Sequence, residues 1–285
     1  MPPLHQAGGS GGICLFIAGV RTAATCLLLV GLLAPSSCWA YRPFIATDAA
    51  VADPREVEIE LGYFTLQRAQ GENTFITPRA VLNYGLFKNW EAVAEFAVQR
   101  SPGGTVDLID PALSVKAVLR EGVLQEKSGV SIAVEVGPLL PSTDKGERHP
   151  GFEATGIASA TLGPFTFHVN GGLGMSRSSS DLVGIWGVIG ELPLTNGVRL
   201  VGEVDGEKPK RETQNDSGLL GVIWQPWSSK NISFDAGIRR GFTSAAPAWS
   251  VTLGVTFGFS VASSEASSAA LAGLREAKGV GTWGW

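Results

Sequence analysis

From residue 55 onward the chain alternates apolar and polar positions with a period of two, the signature of half-buried strands and not of helices. The clearest run is 249–259, WSVTLGVTFGF: Trp249, Val251, Leu253, Val255, Phe257 and Phe259 share one face, and Ser250, Thr252, Gly254, Thr256 and Gly258 share the other. The same pattern sets Val57, Ile59, Leu61 and Tyr63 against Glu56, Glu58, Glu60 and Gly62 in 55–68. In 89–100 it sets Trp90, Ala92, Ala94, Phe96 and Val98 against Glu91, Val93, Glu95, Ala97 and Gln99. In 108–120, Ile109, Leu113, Val115, Ala117 and Leu119 oppose Asp110, Ser114 and Lys116. Runs 128–140 and 231–242 behave alike, with Ser131, Glu135, Ser233, Asp235 and Arg239 on the polar side, and weaker runs fall at 75–86, 151–162, 165–176, 182–193, 198–207 and 217–225. The pattern predicts about twelve strands.

The breaks carry Gly, Pro, Asn and Ser turn chemistry, and short ones (86–89, 162–164, 194–197, 225–231) largely alternate with longer ones such as 141–150 and 206–216. Many of the strands run past the five or six residues usual in soluble sheets, and aromatic residues gather near their ends: Tyr84, Phe87, Trp90, Phe165, Trp224, Trp227, Phe257 and Phe259 by the short turns, Phe64, Phe75, Phe152, Phe242 and Trp249 by the long loops. Together these predict an all-β fold: an antiparallel, up-and-down transmembrane β-barrel of about twelve strands, its apolar face toward outer-membrane lipid and its polar face toward a lumen. Hydrocarbon leaves no partner for an open sheet edge, so 249–259 is expected to close the barrel on 55–68. A secreted soluble β-protein is the alternative.

Composition fits this picture. Hydrophobic residues make up 44% and charged residues only 17% of the 285, against about a quarter charged in soluble domains. The first 40 residues read as a signal peptide: Arg21, the apolar run 26–34, and a small-residue cleavage site ending at Ala40. A lipoprotein reading at Cys38 is weaker, because Pro35 stands where an aliphatic residue is expected. The three cysteines, Cys14, Cys26 and Cys38, all lie there, so the mature chain has no disulfide framework or thiolate site. Residues 41–54 are expected to form a short periplasmic segment, 55–259 the barrel, and 260–285 a C-terminal extension, either helical or loosely ordered. Either Phe259 or Trp285 would present the terminal aromatic to the barrel-assembly machinery. No long basic patch points to nucleic acid, and no cofactor or metal motif is present.

The stretches RPFIATDAAVADPREVEIELGYF (42–64), YGLFKNWEAVAEF (84–96), LIDPALSVKAVLRE (108–121), VEVGPLLPSTDKG (134–146), LGPFTFHVNGGLG (162–174) and DAGIRRGFTSAAPAWSVTLGVTFGF (235–259) resemble, in their order and spacing, the outer-membrane barrels grouped as the putative MetA-pathway of phenol degradation family. The resemblance implies a channel or transporter for small molecules, of which aromatic or hydrophobic compounds are the expected class. Ser244 and Ala248 depart from it, standing where such proteins carry acidic residues.

Strand parity places Glu56, Glu58, Glu60, Arg79, Glu91, Glu95, Lys116, Glu135, His168, Arg199, Glu203, Asp205, Asp235 and Arg239 on the lumen side. They are read in two ways: as a pore lining that contacts solute, or as a mixed-sign network that braces a narrow lumen. The loops 141–151 and 206–216 are the expected gates. A structural or adhesion-type barrel with a closed lumen is the rival reading. An outer-membrane enzyme is a weaker one, since the mature chain offers only His149, in a loop, and His168, mid-strand, as bases, without a nucleophile motif.

Overall fold

The computed structural model describes residues 42–69, 71–211, 213–226 and 231–261. The signal-peptide reading of 1–40, the tail 262–285 and Trp227 lie outside them. Twelve antiparallel strands form one closed barrel in which each strand pairs with its sequence neighbours and β1 closes on β12. They are β1 Glu56–Ala69, β2 Glu72–Phe87, β3 Trp90–Arg100, β4 Val106–Arg120, β5 Ser131–Leu139, β6 Gly151–Leu162, β7 Phe165–Met175, β8 Leu182–Thr195, β9 Val198–Pro209, β10 Asn215–Trp224, β11 Ile232–Gly241 and β12 Trp249–Ser260. A single 3-10 turn, Val123–Gln125, interrupts the β4–β5 connection. The closing register pairs Val57 with Phe259 and Arg68 with Trp249, so the first and last predicted strands meet as expected.

The outward face is apolar and exposed. Leu82, Phe96, Leu113, Val169, Val188, Val204, Leu220 and Ile238 are all exposed, and Leu220 and Ile238 are 64% and 63% accessible. So broad an exposed apolar surface is unfavourable in water and is what lipid requires of a barrel. Exposed Tyr84, Phe87, Trp90, Phe165 and Trp224 ring the short-turn end, and Phe75, Phe152 and Phe242 the long-loop end. Phe87 packs on Trp90 at 5.6 Å and Phe64 on Phe75 edge-to-face at 6.0 Å. This surface is that of an outer-membrane barrel. Tight hairpins at one end need left-handed backbone, supplied by Asn89 (φ 69°) and Gly197 (φ 105°).

Of the irregularities in the ladders, three mid-strand ones shift the simple alternation. At Tyr63 the β1–β12 register slips by one, so Phe64 and Leu66 take the outer face and Thr65 turns inward to reach Thr252. In β2 the β3 partner skips Thr77 and Pro78, because proline has no N–H to give to a ladder; Ile76 therefore faces inward below the slip and Arg79 above it. In β4 a bulge at Asp110–Pro111 places Leu108 with the exposed outer residues and moves Ile109 out of the lipid-facing set assigned to it by strict alternation. The loop 206–216 is also shorter than expected: β9 runs through Pro209 and β10 starts at Asn215.

Residues 42–54 do not lie outside the barrel, as a periplasmic segment would. They run through its interior. Arg42 is 7% accessible and Ala49 is fully buried, and the segment's backbone is held by side chains from strands all around the wall. The reason is physical: an inner face rich in carboxylates, amides and hydroxyls offers partners to a segment with many unpaired N–H groups, and a segment without strand partners needs them.

Candidate functional site

The lumen and the segment within it form the candidate site. Going up the segment from the short-turn end, Asp53 N donates to Glu56 (3.1 Å) and Ala52 N to Glu91 Oε2 (2.6 Å). Ala49 N donates to Ser159 Oγ (3.0 Å), while Gln125 Nε2, on the β4–β5 turn, donates to Ala49 O (2.9 Å). Thr47 and Asn170 bond in both directions, Thr47 N to Oδ1 at 3.1 Å and Nδ2 to Thr47 O at 2.7 Å. Lys116, fully enclosed, donates to Thr47 Oγ1 (3.0 Å) and stands 4.0 Å from Asp48. Ile45 N and Ala46 N both donate to Glu203, at 3.0 and 2.7 Å. Arg42 reaches Thr252 Oγ1 (2.7 Å) and pairs with Asp235 (3.4 Å).

Glycines make room for this path. A Cβ on Gly187 would stand 2.6 Å from the Ala46 methyl, and one on Gly254 would stand 2.3 Å from the Arg42 guanidinium. Pro43 lies over Gly221 and Gly237, and Phe44 packs on a buried apolar strip of Val201, Leu219 and Ile223. A second apolar contact joins Ala49 to Ala133, Ile157 and Leu124.

The remaining polar residues brace the wall. Glu60 accepts from Asn83 (3.0 Å), Glu135 from Ser114 (2.5 Å), and Arg199 pairs with Glu191 (2.9 Å). Arg239 holds Glu203 and Asp205 together and bonds Ser217 (2.7 Å). Arg79 meets Asp110 (2.5 Å), and Arg177 ties Asp110 (3.5 Å) to Glu147 (3.8 Å) in the loop after β5. Burial, and then the Asp110 charge, push the Glu147 carboxyl above its ordinary range, with Arg177 acting in opposition. Glu58 is buried in the inner row of β1 between Glu56 and Glu60, and Glu95 lies half-buried on β3. The parity assignment thus brings the candidates to one surface. It missed Asn83, Ser159, Asn170, Glu191 and Ser217, all inward and hydrogen-bonded; each was legible as a polar residue at the buried parity of its strand.

At the short-turn end a cavity of about 210 Å³ is lined by Asp48, Leu124, Thr166, His168, Glu191, Pro193 and Arg199. Here Ser159, His168 and Glu191 stand in line, with Ser159 Oγ to Nδ1 at 2.8 Å and Nε2 to Glu191 at 3.5 Å. The serine is not placed to attack a substrate: it is fully buried and its oxygen already accepts the Ala49 N–H. The hydrogen bonds run from Ala49 through Ser159 to His168 and stop there; Nε2 only approaches Glu191 of the Glu191–Arg199 pair and makes no hydrogen bond among the described residues. Among the described residues no group of three or more potential ligands is placed to hold a metal ion.

No family model matches the chain, and no curated protein matches it in sequence. Solved structures do match in fold. The COG4313 outer membrane channel from Pseudomonas putida F1 aligns with a TM-score of 0.53 at 12% identity, over 74% of this chain and 97% of that one. The NanC porin aligns with a TM-score of 0.52 at 10% identity, over 70% of this chain and 98% of that one. The chain shares with both the fold of an outer-membrane β-barrel.

Proposed function

We propose that the chain is an outer-membrane channel or transporter for small molecules whose resting lumen is closed by its own segment 42–54. The observation that carries this reading is the character of the closure. The segment forms no strand and is held by side-chain hydrogen bonds and by two ion pairs, Arg42–Asp235 and Lys116–Asp48. Such contacts can be exchanged for water one by one, whereas the ladder around the barrel cannot be opened without unpairing backbone in lipid. Displacing the segment would leave an aqueous path lined by Glu60, Glu91, Lys116, Asn170 and Glu203, with the apolar strip Val201–Leu219–Ile223 along one side. That strip supports aromatic or otherwise apolar solutes as the expected class. The two fold neighbours named as a channel and a porin support the reading at the level of architecture.

A structural barrel with a permanently closed lumen draws support from the same bolts. Planar-bilayer conductance separates the two. A variant lacking residues 42–50 conducts in large, stable steps under either reading, which establishes that the barrel itself is open. The full chain then decides: discrete openings support the channel, and a folded full chain silent across a range of voltages and solutes refutes it.

A further inference from the structure

The residues beneath Arg42, Pro43 and Phe44 form a seat of two parts. One part is acidic and polar. Asp235 on β11 is 5% accessible, and its ion-pair partner among the described residues is Arg42; its oxygens accept no conventional hydrogen bond. Thr252 accepts from the same guanidinium, and Gly62 and Gly254 leave the flat slot in which it lies. The second part is apolar and directly adjacent. Ile223 stands opposite Asp235 in the β10–β11 register, and with Val201 and Leu219 it forms the strip under Phe44.

The wall treats Asp235 differently from three other buried acids. Glu203 and Asp205 share Arg239, and Glu191 has Arg199, all carried by the barrel itself. Asp235 instead takes its counter-charge from the segment. When the segment leaves, a carboxylate in a narrow, glycine-floored slot is left beside an apolar surface, and a buried charge without a partner is strongly unfavourable. The hydroxyls of Ser233 and Thr256, one step along the same inner face, are buried and also without a hydrogen-bond partner among the described residues.

We propose that this seat is a binding site for an amphipathic organic cation, a primary ammonium or guanidinium head joined to an aromatic or aliphatic body, and that Arg42–Pro43–Phe44 is its tethered internal occupant. The head replaces the Arg42 guanidinium at Asp235 and Thr252, and the body replaces Phe44 on Val201, Leu219 and Ile223. This rests on the channel reading for its role in transport, but the binding itself does not need flux. A solute of this class both displaces the segment and supplies the charge that Asp235 loses, so binding and opening are coupled by one exchange.

The test is calorimetric titration of folded protein in detergent micelles with 2-phenylethylammonium chloride, and with 2-phenylethanol as the uncharged counterpart. The variant Arg42→Ala/Phe44→Ala vacates the seat and is expected to bind the ammonium at least about tenfold more tightly than the wild type. Asp235→Asn in that background serves also to subtract micelle partitioning, and is expected to abolish the difference. A vacated variant that binds the alcohol as well as the ammonium, or that is indifferent to Asp235→Asn, overturns the proposal. Should the double variant fail to fold, Arg42→Gln keeps the other anchors and is titrated with methylguanidinium against urea: selective binding lost with Asp235→Asn supports the site, and equal response to both refutes it. Binding without conductance would leave the site standing and the channel reading refuted; conductance without Asp235-dependent binding would do the reverse.

Discussion

Glu203 is the sharpest place to test whether the segment is a closure held by hydrogen bonds. Its carboxylate accepts from two consecutive backbone groups of the segment, Ile45 N at 3.0 Å and Ala46 N at 2.7 Å, and from Arg239 on the neighbouring wall. In Glu203→Ala both segment bonds vanish, whereas Arg239 keeps Asp205 and Ser217. Hydrogen bonds to a charged group contribute about 1.5–3 kcal/mol each, but lumen water can re-solvate the freed N–H groups, so about 2–3 kcal/mol in total is the reasonable loss. That free energy favours the displaced state by about 30- to 150-fold. Single-channel recording reads it directly, as an increase of that size in the ratio of open to closed time. Asp205→Ala is the control: it disturbs the same arginine and Ser217 but removes no bond to the segment. If Glu203→Ala and Asp205→Ala open equally often, or if neither differs from wild type while both fold, the closure is not held as described.

Three further outcomes follow from other parts of the barrel. Gly187→Val puts branched methyls where Ala46 already stands 2.6 Å from a Cβ, so the segment should be pushed off the wall and become cleavable by protease added in detergent, with the barrel intact. Leu220→Arg places a charge on the lipid face near the middle of β10 and should cost about 2–4 kcal/mol in urea unfolding from phospholipid vesicles; an unchanged midpoint would deny that this face meets hydrocarbon. Glu121 joins two connections at the short-turn end through Lys127, Lys88 (2.7 Å) and Asn89 (3.0 Å), and these bonds draw its carboxyl down from 4.5 to about 2. A depressed carboxylate stabilises the fold above its unfolded value and loses that contribution as pH falls, so the difference in unfolding midpoint between wild type and Glu121→Gln should be constant above about pH 5 and fade between 4.5 and 2.

The barrel was legible because lipid and water impose opposite demands on the two faces of each strand. In β12 that demand is unbroken, and the face of Val251, Leu253 and Val255 can be assigned from the sequence without error. It fails where backbone geometry, not side-chain polarity, decides. Pro78 and Pro111 sit at register breaks, and beyond each break the parity inverts, which no count of alternating residues can register. The slip at Tyr63 has no such marker; a Gly–Tyr–Phe run fits either register. The polar candidates were found because a buried parity and a charged side chain coincide at Glu203, Lys116 and Asp235. The segment was missed because its partners are distant in sequence, Arg42 from Thr252 by 210 residues and Ala49 from Ser159 by 110. Two signals did point to it. The inner row of β1 carries Glu56, Glu58 and Glu60 with no base among them, and small residues stand on inward positions at Gly62, Gly187 and Gly254, where a pore needs none.

These observations change what the inner charges are for. A strand in a closed barrel satisfies its own backbone, so its inward side chains are free to serve other groups. The segment, by contrast, brings donors at Ile45, Ala46, Thr47, Ala49 and Ala52 against the inner wall, and an N–H turned from water without an acceptor is costly. Each of those donors meets a side-chain acceptor of the wall: Glu203, Asn170, Ser159 or Glu91. On the proposed channel reading, bracing and solute contact are therefore not alternatives for these residues. They are hydrogen-bond acceptors for a peptide, and on the proposed channel reading any solute that takes the segment's place would meet a surface already fitted to bind donors. On that same proposed reading, a lumen lined by acceptors with one carboxylate dependent on a borrowed guanidinium would favour cations carrying N–H groups over anions.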